Sequence, residues 1–157
     1  MTAPHTLDRA LVVAQARSLF DGERDYVANA ANLAALIAGA FPELNWSGFY
    51  FVRGGDLVLG PFVGKPACVR IAHGSGVCGT AWARAETIVV PDVHAFPGHI
   101  ACDAASNAEI VVPLRAADGR VAGVLDLDSP RHDRFDAEDR ATLEELAALY
   151  VAASDLP

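Results

Sequence analysis

EIVVPLRA (109–116), ADG (117–119) and RVAGVLDLDS (120–129) decide the fold. Apolar side chains recur at every second position in the two outer runs, and the middle run carries turn residues. Two such runs joined by a tight turn form an antiparallel hairpin. The same pattern occurs earlier, with NWSGFYFVR (45–53) as a strand, GGD (54–56) as a turn and LVLGPFV (57–63) as the returning strand. A short strand at CVRI (68–71) follows, GSGVCGTAW (74–82) is a Gly-rich entry into a short helix, and TIVVPDV (87–93) has the composition of a buried strand. Around these strands the period is helical. LDRALVVAQARSLF (7–20) places Leu7, Leu11, Ala14 and Leu19 or Phe20 on one face. DYVANAANLAALIAGAF (25–41) is rich in Ala and Leu and is stopped by Pro42. AEDRATLEELAALYVAAS (137–154) follows Asp136 as its N-cap. The order helix, helix, strands, short helix, strands, helix predicts an α+β fold with helices packed on an antiparallel sheet. With no repeat, low-complexity tract or linker, residues 1–157 read as one domain.

Composition narrows the function. Hydrophobic types make up 52% of the 157 residues and charged types 20%, which is a globular balance. Twenty acidic residues against twelve basic ones give a formal charge of −8. That excess argues against a nucleic-acid or anionic-membrane partner, since either needs a basic footprint. No stretch reaches the roughly 20 apolar residues of a bilayer span. The start, MTAPHTLDRA, lacks the charged and apolar regions of a secretory signal, so the expected location is the cytoplasm. Three cysteines, Cys68, Cys78 and Cys102, are an odd set for a structural disulfide framework. Buried inert thiols, a metal site and redox chemistry all remain open.

HAFPGHIACDAASNA (94–108) has no clean period and forms a long loop. Loops of that length inside a compact domain tend to carry function. It presents Cys102 between His99 and Asp103, where an imidazolium or a helix N-terminus would favour the thiolate. A packed Ω-loop holding a buried thiol is the other reading. A zinc site of three cysteines and His99 lacks the usual ligand spacing, and no family signature of a papain-like Cys/His hydrolase surrounds any of the cysteines. In VAGVLDLDS, Asp126 and Asp128 share one strand face while Leu125 and Leu127 take the other. Glu109 opens the neighbouring strand and can pair across to them. Three carboxylates around one cavity bind an ammonium group, and their repulsion raises at least one pKa so that a proton stays available. A solvated acidic strand face is the alternative. Trp46 and Phe49 or Tyr50 are candidates for an apolar wall or for core. GSGVCG can cradle a carboxylate on its backbone N–H groups, but it lacks the Lys-Ser/Thr ending of a phosphate loop.

NWSGFY, LVLGPFVGKPACVRI, GSGVCGTAW, VPDVHAFPGHIACDAASNAEIVVPL and GVLDLDSP together resemble the GAF-domain free methionine-(R)-sulfoxide reductases. The resemblance runs from about residue 23 to residue 150, with the first helix ahead of it. It implies a GAF-like antiparallel sheet flanked by helices. It also implies reduction of free L-methionine-(R)-sulfoxide, with no cofactor and no metal. Carried over motif by motif, Cys102 is the attacking thiolate, Cys68 the resolving thiol and Cys78 a third thiol. Glu109, Asp126 and Asp128 match the acidic substrate-binding set, and Trp46 the wall that meets the substrate's methyl group. The implied partners are thioredoxin as reductant and a second copy in a homodimer, with the first helix as an interface. The alternative is a non-catalytic GAF-type sensor of a small ligand, which needs neither three cysteines nor a carboxylate face.

Overall fold

The computed structural model describes residues 6–99 and 105–157. Two helices open the chain: α1 (Arg9–Phe20), whose N-cap is Asp8, and α2 (Tyr26–Ala40), whose N-cap is Asp25. Each cap carboxylate accepts backbone N–H groups of the first turn that have no partner inside the helix. The strands β1 (Trp46–Arg53) and β2 (Asp56–Gly64) follow. Their register pairs Arg53 with Asp56, leaving Gly54 and Gly55 as a two-residue turn. Both glycines have positive φ, 59° and 89°, as a type I′ turn requires. Then come β3 (Arg70–Ala72), α3 (Gly76–Arg84), β4 (Ile88–Val90) and a single 3-10 turn at Val93–Ala95. The hairpin β5 (Ala108–Arg115) and β6 (Val121–Ser129) leads to α4 (Ala137–Ala153). No helix among the described residues is long and apolar enough to cross a membrane.

Every strand pairing is antiparallel, in the order β3-β2-β1-β6-β5-β4. The two hairpins read from the sequence are therefore joined through β1 and β6 at the sheet centre. Two short elements differ from expectation. The strand expected at 68–71 forms at Arg70–Ala72, so Cys68 precedes it, and the strand expected over 87–93 shortens to Ile88–Val90. Pro91 has no N–H to give to a ladder, and Val93 N instead donates to Asn107 O.

Period-two alternation sorts the sheet into two faces. Phe49, Phe51, Ile110, Val112, Leu125 and Leu127 face α1, α2 and α4 and form the larger core. Trp46, Tyr50, Val111 and Val124 face the other way, toward α3 and the loops. The ends of α1 and α4 are tied by a buried ionic group. Asp139 accepts from Arg134 at 3.0 Å and pairs with Arg9 at 2.9 Å, while closing a capping box with Asp136. α1 buries Val12, Ala16 and Phe20 and leaves Leu11 and Leu19 exposed.

Candidate functional site

The face of the sheet opposite the three long helices holds a cavity of about 560 Å³, its open mouth included. Alternation and register build it. Asp128 lies opposite Trp46 on β1 and opposite Glu109 on β5; Asp126 lies opposite Gly48 and Val111. Glu109, Asp126, Asp128, Trp46 and Tyr50 therefore all point to this face, and all five line the cavity. Leu125 and Leu127, their neighbours in sequence, are fully buried on the other face.

α3 closes the cavity from above. Gly79 makes this approach possible, because a Cβ there would stand 2.5 Å from Ala72 O. The docked helix turns Cys78 down onto the carboxylates. The Cys78 thiol donates to Glu109 Oε1 at 3.9 Å, and one ligand atom each of Cys78, Glu109 and Asp126 lie within 4.8 Å of one another. Ser75, Gly76 and Val77 at the start of α3 also line the cavity, and the Ser75 side chain makes no capping bond. The first N–H groups of a helix have no partner within it, so this end is suited to an anion.

Burial dominates the electrostatics. It pushes Glu109 well above the usual carboxylate range, and Asp126 and Asp128 push it further. Burial raises Asp126 too, but hydrogen bonding from Glu109 and Cys78 opposes that rise. Of the pair, Glu109 is thus the better place for a proton and Asp126 for a charge. Asp126 Oδ1 is buried with no hydrogen-bond partner among the described residues. Burial also raises the Cys78 thiol well above its ordinary value, with Asp126 and Glu109 adding to the effect. Cys78 is a buried proton donor in this arrangement, the opposite of an activated thiolate.

The rest of the wall is aromatic and polar. Trp46 stacks on Phe62, centroids 5.2 Å apart, and its Nε1 donates to Lys65 O at 3.1 Å. Tyr50 donates its hydroxyl to Cys68 O at 2.9 Å, which ties the segment before β3 to the sheet. Cys68 is disulfide-bonded and Cys78 is a free thiol. Among the described residues, the cysteine that faces other potential metal ligands is Cys78, with Glu109 and Asp126. Cys102 lies outside the described residues, and His99 and Ser106, on either side of them in sequence, both line the cavity. His99 Nε2 sits 3.8 Å from Glu109 Oε2, and Asn45 Nδ2 donates to Ser106 Oγ at 3.0 Å. Of the two residues read as wall candidates beside Trp46, Tyr50 lines the cavity, since it shares strand parity with Trp46, and Phe49 lies in the helix-packed core. Lys65 and Ser106 also line the cavity and carry no signal in the sequence that marks them.

Fold and cavity together define a small-ligand α+β domain, and residues 26–154 match the family model of the GAF domain. The free methionine-R-sulfoxide reductase of Escherichia coli is 51% identical over 131 residues, covering 83% of this chain and 79% of that protein. Its namesake in Saccharomyces cerevisiae is 46% identical over 138 residues, covering 83% and 77%. Among solved structures, the Neisseria meningitidis free methionine-R-sulfoxide reductase in complex with its substrate superposes with a TM-score of 0.88. It shares 46% identity, over 96% of this chain and 95% of that one. The chain belongs to the GAF-domain family of free methionine-R-sulfoxide reductases.

Proposed function

We propose that the protein reduces free L-methionine-(R)-sulfoxide to methionine, with Cys102 as attacking thiol, Cys68 as resolving thiol and thioredoxin as reductant. The observation that carries this reading is the buried acid group beside an aromatic wall, with Asp126 Oδ1 unpartnered. Asp126 and Asp128 take the substrate's ammonium, the open end of α3 takes its carboxylate, and Trp46 meets the methyl group. The unpartnered oxygen of Asp126 then gains a donor that the described residues do not supply.

A sulfoxide sulfur is a poor electrophile until its oxygen is protonated or strongly hydrogen-bonded. Glu109, held protonated by burial and by its acidic neighbours, supplies that proton. Cys102 as thiolate gives up an electron pair, the sulfur–oxygen bond of the substrate breaks, and methionine leaves. The substrate sulfur is reduced by two electrons and Cys102 is oxidised to the sulfenic acid, which keeps the proton from Glu109. The Cys68 thiol condenses with that sulfenic acid to give a disulfide and one water. Thioredoxin dithiol then returns both cysteines to thiols and is itself oxidised. That Cys68 is disulfide-bonded while Cys78 is free supports this division of labour, as does the raised pKa of Cys78. Recycling of this kind suits the reducing cytoplasm. A homodimer is in keeping with the exposed Leu11 and Leu19 on α1.

The test is an amino-acid assay on the R and S sulfoxides, free and N-acetylated, with dithiothreitol as reductant. Turnover is expected with the free R epimer alone, because acetylation removes the ammonium that the carboxylates hold. Equal turnover of the N-acetylated R epimer contradicts the binding role of the acids. Tight retention of an unrelated ligand, with no turnover, would leave the domain a sensor. The pairing has its own check. One equivalent of substrate without reductant is expected to leave a Cys68–Cys102 link in peptide maps, and a dominant Cys78–Cys102 link reassigns the resolving thiol.

A further inference from the structure

The Trp46 indole lies over the backbone of Gly48. A Cβ on Gly48 would stand 2.8 Å from Trp46 Cη2 and 2.4 Å from Phe62 Cβ. In the sheet register Gly48 pairs with Phe62 on β2 and with Asp126 on β6. The indole above Gly48 therefore has Phe62 on one flank and the carboxylates on the other. Phe62 does not line the cavity; it backs the residue that does. Its ring is nearly parallel to the indole, 14° between planes. The far edge of the indole is held as well. Nε1 is bonded to Lys65 O, and a Cβ on Gly64 would stand 2.6 Å from Cδ1. Trp46 is thus held at its Nε1 edge, at its tip over Gly48 and by the near-parallel ring of Phe62.

We infer that Phe62, seated against Trp46 in the gap left by Gly48, sets the largest S-alkyl group the site accepts. The inference rests on the methionine sulfoxide reading and adds to it a residue that acts from behind the wall. A close-packed wall does not yield to an added methylene, whereas a wall with space behind it does. One methylene in an apolar pocket changes catalytic efficiency by about 10- to 200-fold. Phe62 is a positioning residue, since it acts only through Trp46.

The experiment measures kcat/KM for the R epimers of free methionine sulfoxide and free ethionine sulfoxide. It uses the wild type, Phe62→Ala, Phe62→Leu and Phe62→Tyr. The wild type is expected to prefer the methyl compound by about tenfold or more. In Phe62→Ala that preference shrinks about tenfold, chiefly through a lower KM for ethionine sulfoxide. Phe62→Leu falls between, and Phe62→Tyr keeps the wild-type ratio because the ring face is retained. The ratio of two substrates is independent of how much enzyme is folded, so a merely structural loss lowers both rates together. An unchanged ratio in Phe62→Ala and Phe62→Leu overturns the inference, and so does a wild type without preference. A wild type that reduces neither sulfoxide defeats the functional reading instead, which keeps the two failures apart.

Discussion

Cys102→Ser is expected to lower turnover by a factor on the order of a thousand or more, even with dithiothreitol in place of thioredoxin. Serine is not ionised near neutral pH, and its oxygen cannot take up the sulfoxide oxygen and become a sulfenic acid. Dithiothreitol matters to the design because it replaces the resolving thiol but not the attacking one. Steady-state rates on free methionine-(R)-sulfoxide check the result. Substantial residual activity would transfer the attack to Cys78 or elsewhere. Cys78 is poorly suited to that role, since its thiol is buried against Glu109 and Asp126 and shifted away from the thiolate.

Removing the charge or proton of the acid group is expected to have the next largest effect. Asp126→Asn and Asp128→Asn each delete a charge-assisted hydrogen bond of about 1.5–3 kcal/mol, and Glu109→Gln deletes the transferable proton, with an effect of similar size. That corresponds to roughly ten- to more than a hundredfold in kcat/KM. Stability is expected to move differently. Glu109 is raised in the folded protein, so the native state holds its proton more tightly than the unfolded chain does. Its stabilising contribution is complete below the ordinary glutamate range and is lost as the pH rises through the raised value. Glu109→Gln has no such loss. It is expected to melt at least as high as the wild type above that window, and with a flatter dependence on pH. Kinetics and thermal melts on the three variants settle the matter. Near wild-type efficiency in all three would sink the carboxylate pocket.

What the sequence discloses follows from which interactions are local. The hairpin of β5 and β6 is legible because alternation over consecutive residues fixes both the strands and the shared face of Asp126 and Asp128. The pairing of Glu109 with Asp128 follows from the turn between the strands, one step further. Asp136 and Pro42 mark the ends of helices through rules that act within a few residues. The descent of Cys78 onto Glu109 was hidden, because it depends on Gly79 letting α3 approach the backbone of β3. The junction of the two hairpins through β1 and β6 was hidden too, since no turn connects those strands. Trp46 shows how burial can mislead: it is 4% exposed, as a core residue would be, and yet it lines the cavity.

The leucines and aspartates of β6 alternate without a break, and that alternation couples heredity to architecture. A slip of one residue in the pairing of β6 would carry Asp126 and Asp128 into the helix-packed side and turn Leu125 and Leu127 toward the cavity. Two carboxylates would then stand in hydrocarbon without partners, a cost far above that of a displaced leucine. The acids that hold a substrate are thus also the key by which the chain recognises its own correct alignment. Insertions and deletions within β5 or β6 endanger shape and chemistry in a single event, whereas those in the turn between them or beyond their ends need not. A lineage can lengthen or shorten its loops, but within these two strands it can change only letters and never their count.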